Sequence, residues 1–258
     1  MEEFLLRIRE SIPIYFIFMG MSWGLGWEIS RFFLNKMKLP LKNFNILFLG
    51  TFLSSWAGSK LLFLITTQNG QSRNLIQSAS FWLGGGFVFY GGLFFSLLFV
   101  LIYCIVLKRF NLYGLSYCIP ALGFSHSLGR IGCFFSGCCF GKICTFPGLI
   151  CKLGFYRHPV QLYESFLLFF MGLYFAKKLL QMRLKDKNDL RKIFFKTTSL
   201  YILFYAFIRF FMEYFRGDEI RGFYFGFSSS QLISMGILIV LIIILFLAGK
   251  KIVINLYR

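Results

Sequence analysis

Residues 123–142, GFSHSLGRIGCFFSGCCFGK, set His126 and Arg130 four residues apart and follow them with three thiols, Cys133, Cys138 and Cys139. Cys144 lies just beyond. A guanidinium is a permanent cation whose planar fork matches phosphate or carboxylate oxygens. Closely spaced thiols bind soft metals, exchange disulfides, or pack as small apolar side chains. The order H-x6-C-x4-C-C, His126 with Cys133, Cys138 and Cys139, is not a standard zinc spacing, so all three readings stay open. On an oxidising face a disulfide is expected, with Cys133, Cys138 or Cys139 pairing with Cys144 or Cys151. His126 stands between a packed, hydrogen-bonded histidine, a metal ligand and a base.

A second constellation is RFFMEYFRGD, residues 209–218. On a continuous helix Arg209, Glu213 and Arg216 share one face. One reading is an intrahelical ion pair. The other is an anion site, with Arg216 as a phosphate fork and Glu213 orienting the guanidinium groups. HPVQLYES, residues 158–165, reads as a loop entering a helix, since Pro159 suits a first helical turn. Glu164 then lies two turns inside, as a partner for Lys60 or for an arginine. Arg130 is flanked by Gly129 and Gly132, which admit either a ligand or a neighbouring helix. WLGGGFVFYGG, residues 82–92, with Tyr90, Gly91 and Gly92, is a second glycine patch. It predicts close helix packing or a broken helix whose amides meet a phosphate.

The elements that position these residues are apolar throughout. The chain has 258 residues, 57% hydrophobic and 15% charged, with mean hydropathy +0.69. Soluble domains carry about a quarter charged residues. Seven apolar blocks, roughly 11–32, 44–66, 81–107, 112–130, 160–177, 197–215 and 229–248, are each long enough to cross the ~30 Å of hydrocarbon that about 20 helical residues span. They are too long and too uniformly apolar for barrel strands. The fold class is therefore an all-α integral membrane protein with seven transmembrane helices. Residues 1–258 read as a single polytopic domain, without repeats. No small-residue cleavage site follows the first apolar run, so an uncleaved first helix is expected.

The net charge of +18 sits in short loops, which points to topology and anionic lipid rather than nucleic acid. With the N-terminus outside and the C-terminus cytoplasmic, the inner loops hold roughly twice as many Lys and Arg as the outer ones. Residues 178–196 are then a basic cytoplasmic loop, and 130–159 an outward-facing thiol-rich region. A charge at mid-membrane costs about 2.5–3.5 kcal/mol on insertion scales. Glu28, Lys60, His126, Arg130, Glu164, Arg209 and Glu213 accordingly call for partners or a wet cavity.

These blocks together resemble the prolipoprotein diacylglyceryl transferase family over most of the chain and in the same order. Tyr15 in PIYFIFMG is similar to the family's first-helix tyrosine motif. GSKL (58–61) resembles GARL, with Lys60 in place of Arg. LGGGFVFYGGL (83–93) resembles GGMSFHGGL, and GRIGCFFSGCCFG (129–141) resembles the signature GRIGNFINGELYG. HPVQLYES resembles HPSQLYEA, RFFMEYFRGD resembles RFLVEFFREPD, and GFSSSQLIS (226–234) resembles GLSMGQLLS.

The resemblance implies an enzyme of the bacterial cytoplasmic (inner) membrane. It would move a diacylglyceryl group from phosphatidylglycerol, or another anionic phospholipid, to a cysteine thiol in a prolipoprotein's signal-peptide region. Glycerol phosphate is released, and no cofactor or nucleic acid is involved. Carried over to this chain, Arg130 and Arg216 hold the phosphate, with Glu213 and Tyr90 at the catalytic centre. Tyr15, Lys60, His158, Tyr163, Glu164, Arg209, Gly91 and Gly92 form the substrate-binding set. The sequence departs from the pattern at Tyr90, which replaces a histidine proposed as a base. It departs again at Cys133 and Ser136, which replace asparagines, and at Cys138, which replaces a glutamate. Two other readings follow from these departures and from the scattered charges: a lipid-binding paralogue with thiol redox or metal chemistry, and a transporter or channel.

Overall fold

In the absence of water every backbone group must be satisfied within its own segment, and the apolar blocks do this as helices. The structure, a computed structural model, describes residues 14–66, 81, 88–144, 157–182, 187–217, 223–224 and 226–256. Among the described residues seven α-helices are named: α1 (Ile14–Lys36), α2 (Leu41–Thr66), α3 (Phe89–Leu101), α4 (Ile119–Ser136), α5 (Val160–Gln181), α6 (Lys187–Met212) and α7 (Ser229–Leu256). A π turn, Ile102–Val106, continues α3, and a 3-10 segment, Leu112–Cys118, precedes α4. Between α6 and α7 lies a minimal hairpin, β1 (Phe223–Tyr224) against β2 (Phe227–Ser228), closed by Gly226 at φ 80°.

Where the residues are described, each apolar block of the sequence falls largely on one of these helices. Among the described residues two helices, Leu41–Thr66 and Asp189–Phe215, are long and apolar enough to cross a membrane. Two shorter apolar stretches are Tyr90–Val106 and Ser230–Ile243. Large apolar side chains stand exposed along α3, α5 and α7, among them Phe94, Phe166, Phe170 and Ile242. The fourth block differs from a uniform helix. Its first third winds as 3-10, and α4 proper starts at Ile119 with Pro120 in its first turn, where a missing N–H costs nothing.

The helices fall into two units. One holds α1 from Trp27 onward, α2, α3 and the 3-10 segment. Its helices α2 and α3 pack along their length because glycine and serine remove the side chains between them. A Cβ on Gly58 would lie 2.6 Å from the Gly91 carbonyl, and one on Gly92 would lie 2.7 Å from Ser59 Oγ. Gly91 and Gly92 therefore serve helix packing, one of the two expectations for this patch. Residues 82–87, the rest of the patch, lie outside the described residues.

The other unit holds α1 up to Gly26 together with α4, α5, α6 and α7. Helices α4 and α5 approach closely at Gly123, where a Cβ would lie 2.7 Å from the Gly172 Cα. The same pair is tied by Ser127 and Ser165, whose hydroxyls lie 2.9 Å apart, with Ser165 Oγ also donating to the Ser127 carbonyl. Ile119, Leu168, Met171 and Phe175 form the buried core between them, covered by Leu200, Tyr201, Tyr205 and Ile208 of α6. Helix α6 packs in turn on α7. At Arg130 the glycine question is settled for one position: a Cβ on Gly132 would lie 2.6 Å from Phe18 Cβ, so Gly132 lets α1 reach α4.

Candidate active site

The end of α4 is dictated by its sequence. Gly137 adopts φ 62°, a left-handed residue that a helix C-terminus favours. The Gly137 amide donates to the Phe134 carbonyl at 3.0 Å, and the Cys138 amide to the Cys133 carbonyl at 3.2 Å. This is the two-bond Schellman cap, and it sets the side chains of the capped residue and the second residue beyond the end against each other. Here those residues are Cys133 and Cys138. Cys139 follows at φ 60°, a conformation that costs a non-glycine residue about 1 kcal/mol or more.

The chain then runs between two other segments. Gly141 bridges Arg216 and Ile143 bridges Arg157, both antiparallel. The Lys142 amide donates to the Phe215 carbonyl at 2.9 Å, the Gly217 amide to Phe140 at 3.1 Å, and the His158 amide to the Lys142 carbonyl at 3.0 Å. Residues 140–143 thereby hold the ends of α4 and α6 and the start of α5 together. No side chain fits at this crossing: a Cβ on Gly217 would sit 2.7 Å from the Gly141 carbonyl. Gln161, on the first turn of α5, donates its amide to the Cys138 carbonyl at 2.6 Å.

Inside this frame the ionisable residues converge on Glu164. Arg130 Nε of α4 lies 2.5 Å from Glu164 Oε2, and Arg209 Nη1 of α6 lies 3.2 Å from Oε1. Arg216 Nη1 approaches the same Oε1 at 3.8 Å. Glu213 Oε2 takes Arg209 Nη2 at 2.6 Å and Arg216 Nε at 3.9 Å. Arg209 also donates to Ser230 Oγ of α7 at 2.9 Å. All five charged side chains are at least 86% buried, since the most exposed, Arg130, shows only 14% of its side chain. Among the described residues three arginine cations share two carboxylates. Several guanidinium forks gathered in one buried cluster are suited to an anion.

The face-sharing predicted for Arg209, Glu213 and Arg216 is realised by a different route. Helix α6 ends at Met212 and tightens into a 3-10 turn, Glu213–Phe215, after which Arg216 is extended. The turn and the Gly141 bridge bring Arg216 back over Glu213. Of the two partners expected for Glu164, it is the arginines that hold it. Lys60, in the other unit, is buried. It donates to the Phe81 carbonyl and lies 4.4 Å from the centroid of the Phe81 ring.

The thiols separate into two groups. Cys104, Cys118, Cys133, Cys138 and Cys139 are free, and Cys144 is disulfide-bonded. The expected pairing of Cys133, Cys138 or Cys139 with Cys144 or Cys151 is therefore overturned: the helix cap turns these three thiols toward one another. Their sulfurs all lie within 4.8 Å of one another. Hydrogen bonds from Cys133 and Cys138 pull the Cys139 thiol well below its ordinary range, and Arg216 adds to the effect. Cys138 is correspondingly pushed up. His126 does not join them. Its ring packs on Tyr205 of α6, centroids 5.3 Å apart, which is the packed-histidine reading and removes it from the expected ligand set.

Tyr15 lies close to the three thiols and to Arg130. His158 Nδ1 is 3.3 Å from the Tyr163 hydroxyl, and its ring meets Phe215 edge-on at 5.7 Å. His158 thus braces the crossing strand from the α5 side. Tyr90 is exposed on the second residue of α3, and it belongs to the other unit. Three contributors escaped the sequence reading: Gln161, Ser230 and Tyr205, which stands near Arg130. Tyr205 precedes Arg209 by one helical turn, and that i, i+4 spacing was the available signal.

One turn along α5 from Glu164, Leu167, Met171 and Tyr174 form an apolar groove with Phe204, Phe207 and Ile208 of α6. A charged cluster and an apolar groove on the same helix pair suit an amphiphile.

Comparison with known proteins bears on the family. The profile of the family described as "Prolipoprotein diacylglyceryl transferase" matches residues 3–247. A phosphatidylglycerol–prolipoprotein diacylglyceryl transferase of Clostridium tetani (strain Massachusetts / E88) is 32% identical over 198 residues, covering 71% of this chain and 72% of its own. A second such protein, from Clostridium perfringens (strain 13 / Type A), is 33% identical over 200 residues, covering 73% and 72%. One from Wolbachia pipientis subsp. Culex pipiens (strain wPip) is 28% identical over 237 residues, covering 86% and 87%. The collinear motifs, the arginine cluster and a profile match over nearly the whole length lead to one statement: this chain belongs to the prolipoprotein diacylglyceryl transferase family.

Proposed function

We propose that the protein transfers the diacylglyceryl group of phosphatidylglycerol to a cysteine thiol in the signal-peptide region of a prolipoprotein. The observation that carries this reading is the convergence of Arg130, Arg209 and Arg216, from two different helices and the turn beyond one of them, on Glu164 and Glu213. Such a cluster receives a phosphodiester and stabilises the phosphate charge that grows as the glyceryl carbon–oxygen bond breaks. The thiol sulfur forms the new bond to that carbon, and the electron pair leaves with glycerol phosphate. Ionising a free thiol near pH 7 costs about 2 kcal/mol, a small part of a transfer barrier. A strong base is therefore not required, and Tyr90 acts as a hydrogen-bond donor. Arg130 and Arg216 act on the phosphate, and Glu213, Glu164 and Arg209 hold them in place. Tyr15, His158 and Tyr163 shape the polar end of the site. Lys60 lies on α2, outside this unit. The groove of Leu167, Met171, Phe204 and Phe207 suits an acyl chain.

The seven helices are read as seven spans of a bacterial cytoplasmic membrane, N-terminus outside and C-terminus cytoplasmic. That orientation follows from the excess of Lys and Arg in the odd-numbered connections after α1, α3 and α5. The experiment is direct. The purified protein, given phosphatidylglycerol vesicles and a peptide carrying a lipobox cysteine, should lipidate the peptide. In cells, depletion should leave prolipoproteins unlipidated. Failure of the purified protein with both substrates, or continued lipidation after depletion, overturns the proposal.

A further inference from the structure

Resting on that transferase reading, we propose that Cys133, Cys138 and Cys139 bind one thiophilic d10 metal ion of the zinc class, and that the ion's fourth position takes the acceptor thiol. The three sulfurs lie within 4.8 Å of one another. In a tetrahedral zinc–thiolate site the sulfurs are about 3.8 Å apart, as a Zn–S bond of about 2.3 Å requires. Small rotamer changes close that gap. The backbone already supplies the larger part of the geometry. The Gly137 cap brings Cys133 and Cys138 together, and Cys139 is held at φ 60° beside them. The Gln161 amide fixes the Cys138 carbonyl at 2.6 Å, bracing the loop from α5. Cys138 is exposed, which gives an ion a way in. All three thiols are free.

Three protein ligands leave one position of a tetrahedral ion open, the arrangement of sites that act on a bound molecule rather than hold a fold together. Soft thiolates select zinc or copper(I) over harder cations. Arg216, the guanidinium that the transferase reading assigns to the phosphate, stands beside Cys139. A thiol that binds such an ion is deprotonated outright. The acceptor S–H proton passes to water on binding. The sulfur electron pair then forms the bond to the glyceryl carbon, and the carbon–oxygen bond to phosphate breaks with its electrons on the departing glycerol phosphate. The ion is neither oxidised nor reduced. This arrangement does for the acceptor thiol what a general base would do.

The test uses the full chain in detergent, reduced and freed of metal, with Cd2+ as a spectroscopic probe. The sulfur-to-metal charge-transfer band should saturate at one Cd2+ per chain. It should be lost in Cys138→Ser and Cys139→Ser and kept in Cys104→Ser and Cys118→Ser. A lipobox peptide should raise the band by about a third, three thiolates becoming four. The same peptide with serine for cysteine should not. Chelation should lower lipid transfer about tenfold or more, and Zn2+ should restore it. No band in the unaltered protein, a band that survives Cys138→Ser, or no response to the cysteine peptide each overturns the inference. Transfer at full rate by the metal-free protein overturns it too, while leaving the transferase reading intact. A metal site that responds to the peptide in a protein with no transfer activity at all refutes the transferase reading instead.

Discussion

Arg130 of α4 and Glu164 of α5 stand 2.5 Å apart, and the carboxylate's other oxygen holds Arg209 of α6. One buried acid thereby joins three helices. Partners are taken from different elements, so the cluster exists only in the folded bundle. Removing its centre leaves three guanidinium groups facing one another in a site nearly closed to water.

Glu164→Gln is therefore expected to destabilise the protein by about 3–5 kcal/mol, the usual cost of leaving buried charge unpaired. Thermal unfolding in detergent should register this as a marked fall in Tm, with transfer activity lost. Glu164→Asp, which keeps the charge on a shorter stem, should recover part of the Tm. An unchanged Tm in Glu164→Gln would mean that the arginines are neutralised elsewhere.

Arg130→Ala and Arg216→Ala should each abolish lipid transfer while the protein still inserts and purifies normally. Arg216→Lys tests the fork: an ammonium keeps the charge but not the paired N–H groups. Its transfer rate should fall at least about tenfold, equivalent to about 1.4 kcal/mol of transition-state binding. Full activity in Arg216→Lys would show that charge alone suffices there.

Gly123→Ala adds a methyl where the α5 backbone at Gly172 is 2.7 Å away. Helices α4 and α5 must separate, and Arg130 moves from Glu164 with them. The substitution touches no charged residue, yet it should reduce activity at least about a hundredfold, as ångström-scale misplacement does. Ser127→Ala, nearby on α4, removes a hydrogen bond without adding bulk. It should cost only about 1 kcal/mol in stability.

Tyr90→Phe separates a proton acceptor from a hydrogen-bond donor. Loss of one neutral hydrogen bond is worth about 0.5–1.5 kcal/mol, so transfer should fall by roughly threefold to tenfold and not vanish. Complete loss in this variant would make the Tyr90 hydroxyl essential to proton transfer.

Much of this architecture is legible in the residues themselves. The apolar blocks are helical where they are described, because a backbone without water has no other local solution. Glu164, Arg130, Arg209, Glu213 and Arg216 are conspicuous because charge in an apolar helix demands a partner. Even the Cys133–Cys138 contact is encoded locally, in a glycine placed to cap a helix between them.

Sequence spacing alone placed Arg216 on one face with Arg209 and Glu213, along a helix that in fact stops at Met212. It also left Glu164 between Lys60 and an arginine, grouped His126 with the thiols, and offered Cys144 and Cys151 to the thiol trio as partners. Each of these depends on which elements meet. The antiparallel crossing of Gly141 with Arg216 and the close approach of Gly123 to Gly172 decide them. A chain determines its own helices through contacts a few residues long. Which charges neutralise one another is fixed by contacts between residues as distant as Arg130, Glu164 and Arg209, and those form only when the helices pack.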